Sequence, residues 1–503
     1  MKSASQPFDV SWSARLFWPS LLVIALVGFV LRCLPAFESL WLDELHSAWT
    51  IAGSWSDVSA RALQGNNGPL YFWGLKAFSI MFGQSEAALR MPSILCGCAT
   101  LIGVGALVRA WGGSALAGCA VALLIAFDRD MIFYATEVRP YAAVQLSCLT
   151  LFMMTTGLWS AFSARDAAYW TILAAFTIHL HITAALFVAA CLPPVCLAAW
   201  GHRAAKRLFL MLAALALLLL PLIPQLCLIY ARRSNWEAFV QSGSFFRIVE
   251  ILPMIPWGIL PLAIALGLNR YLTTEESGGR QRSTSTLVWS IVATAAPIAI
   301  AWTLTELRAT PLFLRRYLMG SQTLLFVWCG LNIAQVRRRD ARAVLAIITA
   351  VSVFFFHVPD HWTLQRRQDW RGAIAEANAL RLPQQTAVLI GSRLIEADGL
   401  TQNFGALAEY SRLPIDSVYR VSDRFQTVIP LRYSNPGLLQ PWQQQQLASE
   451  AAALVILPGY DATGAQMVEE LSQTLPWPAK IRVLTTAQGM QMLLIEKEPT
   501  LKK

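Results

Sequence analysis

The chain has 503 residues, of which 56% are hydrophobic and only 14% are charged, whereas an ordinary soluble domain is about 25% charged. This composition excludes a purely soluble enzyme and is typical of a protein that lies largely in a membrane. The net charge of +10 comes entirely from residues 1–357, because residues 358–503 hold 14 basic and 14 acidic side chains. Nucleic-acid binding therefore loses its main support, since such a distribution indicates cytoplasmic loops or anionic-ligand sites of a membrane protein.

Eleven apolar segments come close to the length of about 20 residues that a helix needs to cross a membrane. The predicted spans are residues 16–37, 92–110, 113–131, 141–160, 168–182, 183–200, 208–230, 250–268, 287–306, 317–335 and 343–357. Residues 168–200 are too long an apolar run for one helix, and we place the break at His179 and His181. The first span lacks a small-residue cleavage site, so we interpret it as a retained helix.

The orientation of the spans is predicted from the basic loops. Arginine and lysine are concentrated in short loops that alternate to one side, of which residues 337–342 are the clearest example. The positive-inside rule makes that side cytoplasmic. Because eleven is an odd number, the segment that follows the last span is predicted to lie outside.

The C-terminal segment differs in character from the spans. Its charges are balanced, and apolar runs typical of strands occur at residues 386–390, 453–457, 481–484 and 490–495. A helical pattern occurs at residues 370–380. We therefore predict two domains, a transmembrane module of residues 1–357 and a small extracytoplasmic α/β domain of residues 358–503.

An acidic pair, Asp43 and Glu44, lies just after the first span, in an outer loop that covers residues 38–91. Two neighbouring carboxylates at a membrane surface are costly unless they are hydrated, paired or used in chemistry. One interpretation is that Asp43 caps an interfacial helix that runs to Ile51, with Trp41 and Trp49 at the membrane surface. The other is that the pair is functional.

Further short motifs follow at the ends of the predicted spans. They are Pro69-Leu70-Tyr71, the stretch Gly83…Ser85-Glu86…Leu89-Arg90-x-Pro92-Ser93, Glu137-x-Arg139-Pro140-Tyr141, and Arg316-Tyr317. Together with the acidic pair, these five motifs resemble the GT-C superfamily of membrane glycosyltransferases. More closely, they resemble bacterial relatives of the dolichyl-phosphate-mannose protein mannosyltransferases and of the lipid A aminoarabinose transferase.

The resemblance covers about residues 15–335. It implies a GT-C fold in a bacterial inner (plasma) membrane, with the active site and the C-terminal domain on the periplasmic or extracellular side. It also implies transfer of a sugar from a polyprenyl-phosphate donor to a glycan, lipid or protein acceptor there. Decoration of lipopolysaccharide, elongation of a cell-wall polysaccharide and protein O-mannosylation all remain open, and a lipid-linked or surface glycan is preferred.

The chemistry of such a transfer needs a base for the acceptor hydroxyl and cations for the leaving phosphate. We expect Asp43 to be the base and Glu44 to hold the acceptor or to set the local field. Attack opposite the leaving group predicts inversion at the anomeric carbon. Arg90, Arg139 and Arg316 are expected to bind the donor phosphate, because arginine pairs with phosphate through two hydrogen bonds.

The resemblance adds Tyr71, Glu137, Tyr141, His181 and Tyr317 as candidate substrate-binding residues. His179 and His181 do not form a metal motif, because a spacing of two directs them about 200° apart on a helix. His357, Asp360 and His361 lie at the domain junction and are weak candidates for a divalent cation. We expect no obligatory metal or other cofactor.

Two other classes of membrane protein remain alternatives. A transporter or flippase of a phosphate-bearing lipid would also have many spans, but transporters place polar residues near the middle of the membrane. An assembly subunit would explain the C-terminal domain but would leave the acidic pair and the arginines without a role.

Overall fold

The computed structural model describes residues 8–65, 67–237, 240–271, 284–357, 368–392, 411–432, 434–459, 464–484 and 489–498. The predicted junction residues Asp360 and His361 lie outside the described residues. In chain order the α-helices are α1 (Phe8–Cys33), α2 (Leu42–Ala52), α3 (Asp57–Gln64), α4 (Pro69–Phe82), α5 (Glu86–Gly112), α6 (Ala115–Phe127), α7 (Arg129–Ala135), α8 (Tyr141–Gly157), α9 (Ala164–Leu180), α10 (Ala185–Gly201), α11 (Ala205–Leu219), α12 (Ile223–Ala231), α13 (Ser234–Glu237), α14 (Arg247–Glu250), α15 (Leu260–Tyr271), α16 (Thr284–Glu306), α17 (Met319–Ala334), α18 (Arg339–His357), α19 (Trp370–Ala379), α20 (Leu413–Asp416), α21 (Pro441–Leu447) and α22 (Gly464–Thr474). The strands are β1 (Thr386–Ile390), β2 (Val428–Pro430), β3 (Ala452–Pro458), β4 (Ala479–Leu484) and β5 (Met490–Lys497).

The chain forms two compact units. Unit 1 comprises Met1–Ala36, Asn66–Phe78 and Arg90–Leu364, and unit 2 comprises Phe37–Gly65, Ser79–Leu89 and Gln365–Lys503. Each unit has its own buried core. Residues 38–65 and 79–89 of the predicted outer loop thus belong to the same unit as the C-terminal segment.

Each of the eleven predicted spans contains at least one helix, and His181 separates α9 from α10 where the break was predicted. Five helical segments of the described residues are long and apolar enough to cross a membrane. They are Arg15–Phe37, Glu86–Gly112, Ile182–Gly201, Ala205–Ala231 and Ser285–Glu306. The chain is therefore a multi-pass membrane protein, whereas the number of eleven spans stays a prediction.

Helix α17 lies at the centre of unit 1. Its residues are buried from Met319 to Ile333, and it packs against α6, α8, α15 and α16. Close approach depends on small residues: a Cβ atom at Gly258 would lie 2.4 Å from the ring of Trp328. On helices farther from the centre, large apolar side chains such as those of Leu26 and Phe209 are exposed, as expected for surfaces that face lipid.

Unit 2 contains a five-stranded sheet in the order β2-β1-β3-β5-β4. Strands β2, β1 and β3 are parallel, and β5 pairs antiparallel with both β3 and β4. Strands β1 and β3 are buried along their whole length, in keeping with sequences that are apolar except for Thr386. The predicted α/β character and four predicted strands are confirmed, and the short strand β2 is an addition.

Candidate active site

The acidic pair lies in the first turn of α2, in unit 2, where the partial positive charge of a helix N-terminus favours carboxylates. The helix runs to Ala52, so a helix is present where one was predicted, and its location at the membrane surface stays a prediction. Glu44 is completely buried, and its Oε2 accepts a hydrogen bond of 3.3 Å from the backbone N–H of Trp41. Asp43 is partly exposed. The cap is thus supplied by Glu44 and not, as one interpretation had it, by Asp43.

Helix α2 packs against α3 and is joined to it by hydrogen bonds. The buried His46 lies with its Nε2 3.1 Å from the carbonyl oxygen of Arg61, and Arg61 donates a 2.7 Å hydrogen bond to the carbonyl of Trp49. The guanidinium of Arg61 also stacks 4.6 Å above the ring of Trp49. Gly65 is required next to this contact, because a Cβ atom there would lie 2.4 Å from the His46 ring.

The second part of the predicted site is a small cavity in unit 1, between α8, α10 and the start of α17. It is lined by Tyr141 and by Arg316 and Tyr317, which come from two separate motifs, and by His181. The ring of His181 lies 5.6 Å from that of Tyr141 and 5.8 Å from that of Tyr317. The guanidinium carbon of Arg316 lies 5.8 Å from the centre of the Tyr317 ring. The cavity thus combines a cation with a continuous aromatic wall.

His181 occupies the connection between α9 and α10. Its Nδ1 lies 2.7 Å from the hydroxyl of Thr183, which fixes the orientation of the ring. Desolvation, followed by the positive charges of Arg139 and Arg316, lowers the pKa of the His181 imidazole. Both arginines are therefore electrostatic neighbours of His181, and the imidazole is neutral near pH 7.

Sequence reasoning missed Ser321, which also lines the cavity. It is in the first turn of α17, where backbone N–H groups and the helix dipole favour an anion. Its side chain is 1% exposed, and among the described residues its Oγ has no hydrogen-bond partner. A polar side chain just after the Arg316-Tyr317 motif was the available signal.

The remaining predicted residues have other surroundings. Arg90 is completely buried, and its Nη1 donates hydrogen bonds of 3.2 and 2.9 Å to the carbonyls of Pro35 and Ala36, which follow α1. Glu137 is buried. Tyr71 is buried in the first turn of α4, with its ring centre 5.3 Å from that of Phe72.

Glu137 belongs electrostatically to the tyrosines beside the cavity. Burial, then the negative charges of Asp130 and Glu137, raise the pKa of Tyr134. The Tyr134 ring lies 5.4 Å from that of Tyr141. Two of the arginines expected to bind phosphate, Arg139 and Arg316, are electrostatic neighbours of His181.

One arginine next to the cavity pairs with an acidic residue. Arg315 does so, since its Nη1 lies 2.7 Å from Oδ2 of Asp130 and its Nε donates to the carbonyl of Ile251. Arg315 and Arg316 are adjacent, yet one is committed to an ion pair and the other lines the cavity. Within the described part of the chain, no three His, Cys, Asp or Glu residues are arranged to hold a metal ion.

Comparison with known proteins gives structural neighbours only. No family model matches the sequence, and no curated protein is significantly similar to it. The crystal structure of ArnT from Cupriavidus metallidurans bound to undecaprenyl phosphate is similar, with a TM-score of 0.53 and 15% identity over 97% of this chain and 98% of that chain. The apo state of the same protein gives a TM-score of 0.54 and 14% identity over 96% and 98% of the two chains.

Arabinosyltransferase EmbB from Mycobacterium smegmatis has a TM-score of 0.40 and 12% identity, over 69% of this chain and 38% of that chain. The similarity to ArnT extends over nearly the whole chain. At this level of identity it establishes the fold. The predicted resemblance to the lipid A aminoarabinose transferase is therefore confirmed at the level of the fold.

Proposed function

We propose that this protein is an inverting membrane glycosyltransferase that moves a sugar from a polyprenyl-phosphate donor to a lipid-linked or surface glycan. The observation that carries the proposal is the cavity at the start of α17, in which Arg316 and the ring of Tyr317 lie beside a neutral histidine. A cationic cavity with aromatic walls suits a phosphate attached to a sugar and a polyprenyl chain.

The proposed reaction requires one proton transfer and one displacement. Asp43 takes the proton of the acceptor hydroxyl. At the same time, the oxygen of that hydroxyl forms a bond to the anomeric carbon of the donor sugar. The bond between that carbon and the donor phosphate oxygen breaks, and polyprenyl phosphate leaves with one additional negative charge. The configuration at the anomeric carbon is inverted, because the acceptor attacks opposite the leaving group.

The proposed donor subsite is built from Arg316, Arg139, Tyr317 and His181. The two arginines supply charge for the phosphate as its negative charge grows during bond cleavage. Since the imidazole of His181 is neutral, it can exchange hydrogen bonds with the sugar or the phosphate. The bound undecaprenyl phosphate of ArnT, a protein of the same fold, supports a polyprenyl phosphate as the donor lipid.

The two carboxylates of α2 are assigned different roles. Glu44 is occupied by the backbone N–H of Trp41 in a buried position, so its proposed role is to hold the start of α2 and to set the field at its neighbour. Asp43 is more exposed and is therefore the proposed base.

The acceptor is expected on the periplasmic or extracellular side of a bacterial inner membrane, where lipopolysaccharide and other envelope glycans are accessible. Arg90 uses its Nη1 for two backbone carbonyls, and its direct role at the donor phosphate stays a prediction.

The function is tested by the mass profile of envelope lipids and glycans from a deletion strain and from the same strain complemented with the gene. We expect the deletion to remove a hexose- or pentose-sized increment from one class of glycan, and the gene to restore it. If no glycan changes while the distribution of a phosphate-bearing lipid across the membrane does, the protein is a transporter and the proposal is wrong.

Ser321 provides a prediction for the donor subsite. Replacing Ser321 with Ala should raise the KM for the donor about tenfold with little change in stability, because a hydrogen bond to a charged group contributes about 1.5–3 kcal/mol. The matched control on the same helix is Thr323→Val, since the Thr323 hydroxyl donates to the carbonyl of Met319. The KM is measured by donor titration of purified protein, and an equal effect of both substitutions would contradict the assignment.

His181 provides a prediction about pH. Because its pKa is lowered, its imidazole stays neutral above about pH 6, where an unperturbed histidine would begin to titrate. We expect His181→Gln to reduce donor affinity without changing the shape of the pH–rate profile between about pH 6 and 8. A limb near pH 6.5 that is present in the native protein and lost in the variant would show that His181 titrates after all.

A further inference from the structure

The segment that leads into α2 is fixed by side chains from the C-terminal part of unit 2. The backbone N–H of Leu40 donates a hydrogen bond of 2.8 Å to the hydroxyl of Tyr419. Two residues later, the N–H of Leu42 donates to Oε1 of Gln368 over 3.2 Å. These contacts join residues more than 300 positions apart in the chain, and Leu42 directly precedes Asp43.

Arg371 holds the same segment from another direction. Its backbone N–H donates to the hydroxyl of Ser39 over 3.1 Å, and its Nη2 donates to the carbonyl of Phe37 over 3.1 Å. Its Nη1 lies 2.8 Å from Oε1 of Glu86, and the same oxygen accepts a 2.9 Å hydrogen bond from Tyr419. We call Glu86, Arg371 and Tyr419 the Glu86 clamp.

The clamp residues are themselves well positioned. Arg371 is in the first turn of α19, which Asp369 caps by accepting a 2.9 Å hydrogen bond from the N–H of Gly372. Burial raises the pKa of Tyr419 to about 12, so its hydroxyl remains protonated and can donate to Glu86 while it accepts from Leu40. Helix α2 also packs against α20, which ends three residues before Tyr419.

We propose that the Glu86 clamp positions Asp43 by fixing the backbone from which α2 begins, so that Arg371 and Tyr419 are positioning residues for the reaction. This inference rests on the proposed function. The direction of the Asp43 carboxylate depends on where the first turn of α2 starts, and that start is set by residues 37–42. A displacement of a catalytic group by about 1 Å can reduce a rate about 10²-fold.

The clamp can be weakened without unfolding the protein. The side chain of Arg371 is 51% exposed and that of Glu86 is 20% exposed, so removing their ion pair creates no cavity and costs little stability. The sheet of unit 2 keeps its separate apolar core, which includes Leu389, Val455 and Leu493. A loss of activity at constant stability therefore distinguishes positioning from a general role in folding.

The test uses the full chain in membranes or detergent, with Tyr419→Phe and Arg371→Gln as variants. We expect each to lower kcat about tenfold, to leave the donor KM unchanged, and to accelerate hydrogen exchange in peptides that cover residues 38–45. Arg371→Lys should restore part of the activity because it keeps a charge next to Glu86. The matched control is Arg412→Gln, which breaks another exposed ion pair of the same unit, that with Asp416, and should leave kcat and exchange unchanged.

A further comparison separates this inference from the proposed function. In an Asp43→Asn background, Tyr419→Phe should cause no additional loss of the residual rate, because the clamp acts through Asp43. Accelerated exchange at unchanged kcat, or losses that multiply in the double variant, would overturn the positioning role while leaving the proposed base intact. Full activity of Asp43→Asn would overturn both the proposed base and the positioning role.

Discussion

Replacing Asp43 with Asn is expected to reduce kcat for sugar transfer by about 10²–10⁴-fold, which is the usual contribution of general base catalysis. The substitution keeps the size of the side chain but removes the basic oxygen that would take the acceptor proton. The donor KM should change little, because the proposed donor subsite is built from other residues. Transfer is measured with purified protein, a labelled polyprenyl-phosphate sugar and an envelope lipid extract as acceptor.

Asp57→Asn is the matched control for this experiment. Asp57 is in the same unit and, like Asp43, in the first turn of a helix, but its Oδ2 accepts a 2.7 Å hydrogen bond from the N–H of Ser54. This local structural role should survive in the asparagine variant, so transfer should stay close to the native rate. Glu44→Gln should have an intermediate effect, because an amide oxygen can still accept the N–H of Trp41. If Asp43→Asn retains full activity, the base has been assigned to the wrong residue.

The local elements of the fold were largely predictable from the sequence. The apolar run of residues 168–200 is too long for one helix, and polar His181 lies where the structure separates α9 from α10. Strands β1 and β3 are apolar except for Thr386 and were predicted at residues 386–390 and 453–457. Strand β2 was not predicted because it has only three residues and ends in Pro430, so no periodicity is visible.

The composition of the site was only partly predictable. Tyr141, His181 and Tyr317 are far apart in the sequence. No spacing rule predicts that the rings of Tyr141 and Tyr317 each lie within 6 Å of the His181 ring. Tyr141 and Tyr317 were selected because they lie in motifs of a known superfamily, and His181 because the resemblance to that superfamily implies it. Ser321 has no such motif, and a serine at the start of an apolar helix is read first as part of a helix cap.

Long-range contacts explain the remaining differences. Arg90 and Arg316 both lie near the end of a predicted span, so sequence alone could not separate an arginine that binds backbone carbonyls from one that lines a cavity. In the same way, Arg371 and Tyr419 carry no motif. Their contacts with residues 37–42 arise from the tertiary fold, and no local pattern encodes them.

Arg316→Ala is expected to reduce kcat/KM for the donor by about 10²–10³-fold, the range observed when a donor that stabilises developing negative charge is removed. Arg316 lines the cavity beside Tyr317 and is an electrostatic neighbour of His181. Arg316→Lys should recover part of the loss, because lysine keeps the charge but cannot form two parallel hydrogen bonds to a phosphate. Donor titrations under single-turnover conditions measure the effect.

The adjacent residue provides the control, since Arg315→Ala removes an identical side chain one position away. Arg315 is 42% exposed and pairs with Asp130, and an exposed ion pair of this kind contributes about 0–1 kcal/mol. Its removal should therefore change kcat/KM by less than about fivefold. Equal losses for the two substitutions would mean that the Arg315–Tyr317 turn matters only as a structural element, and the phosphate would then have to bind elsewhere.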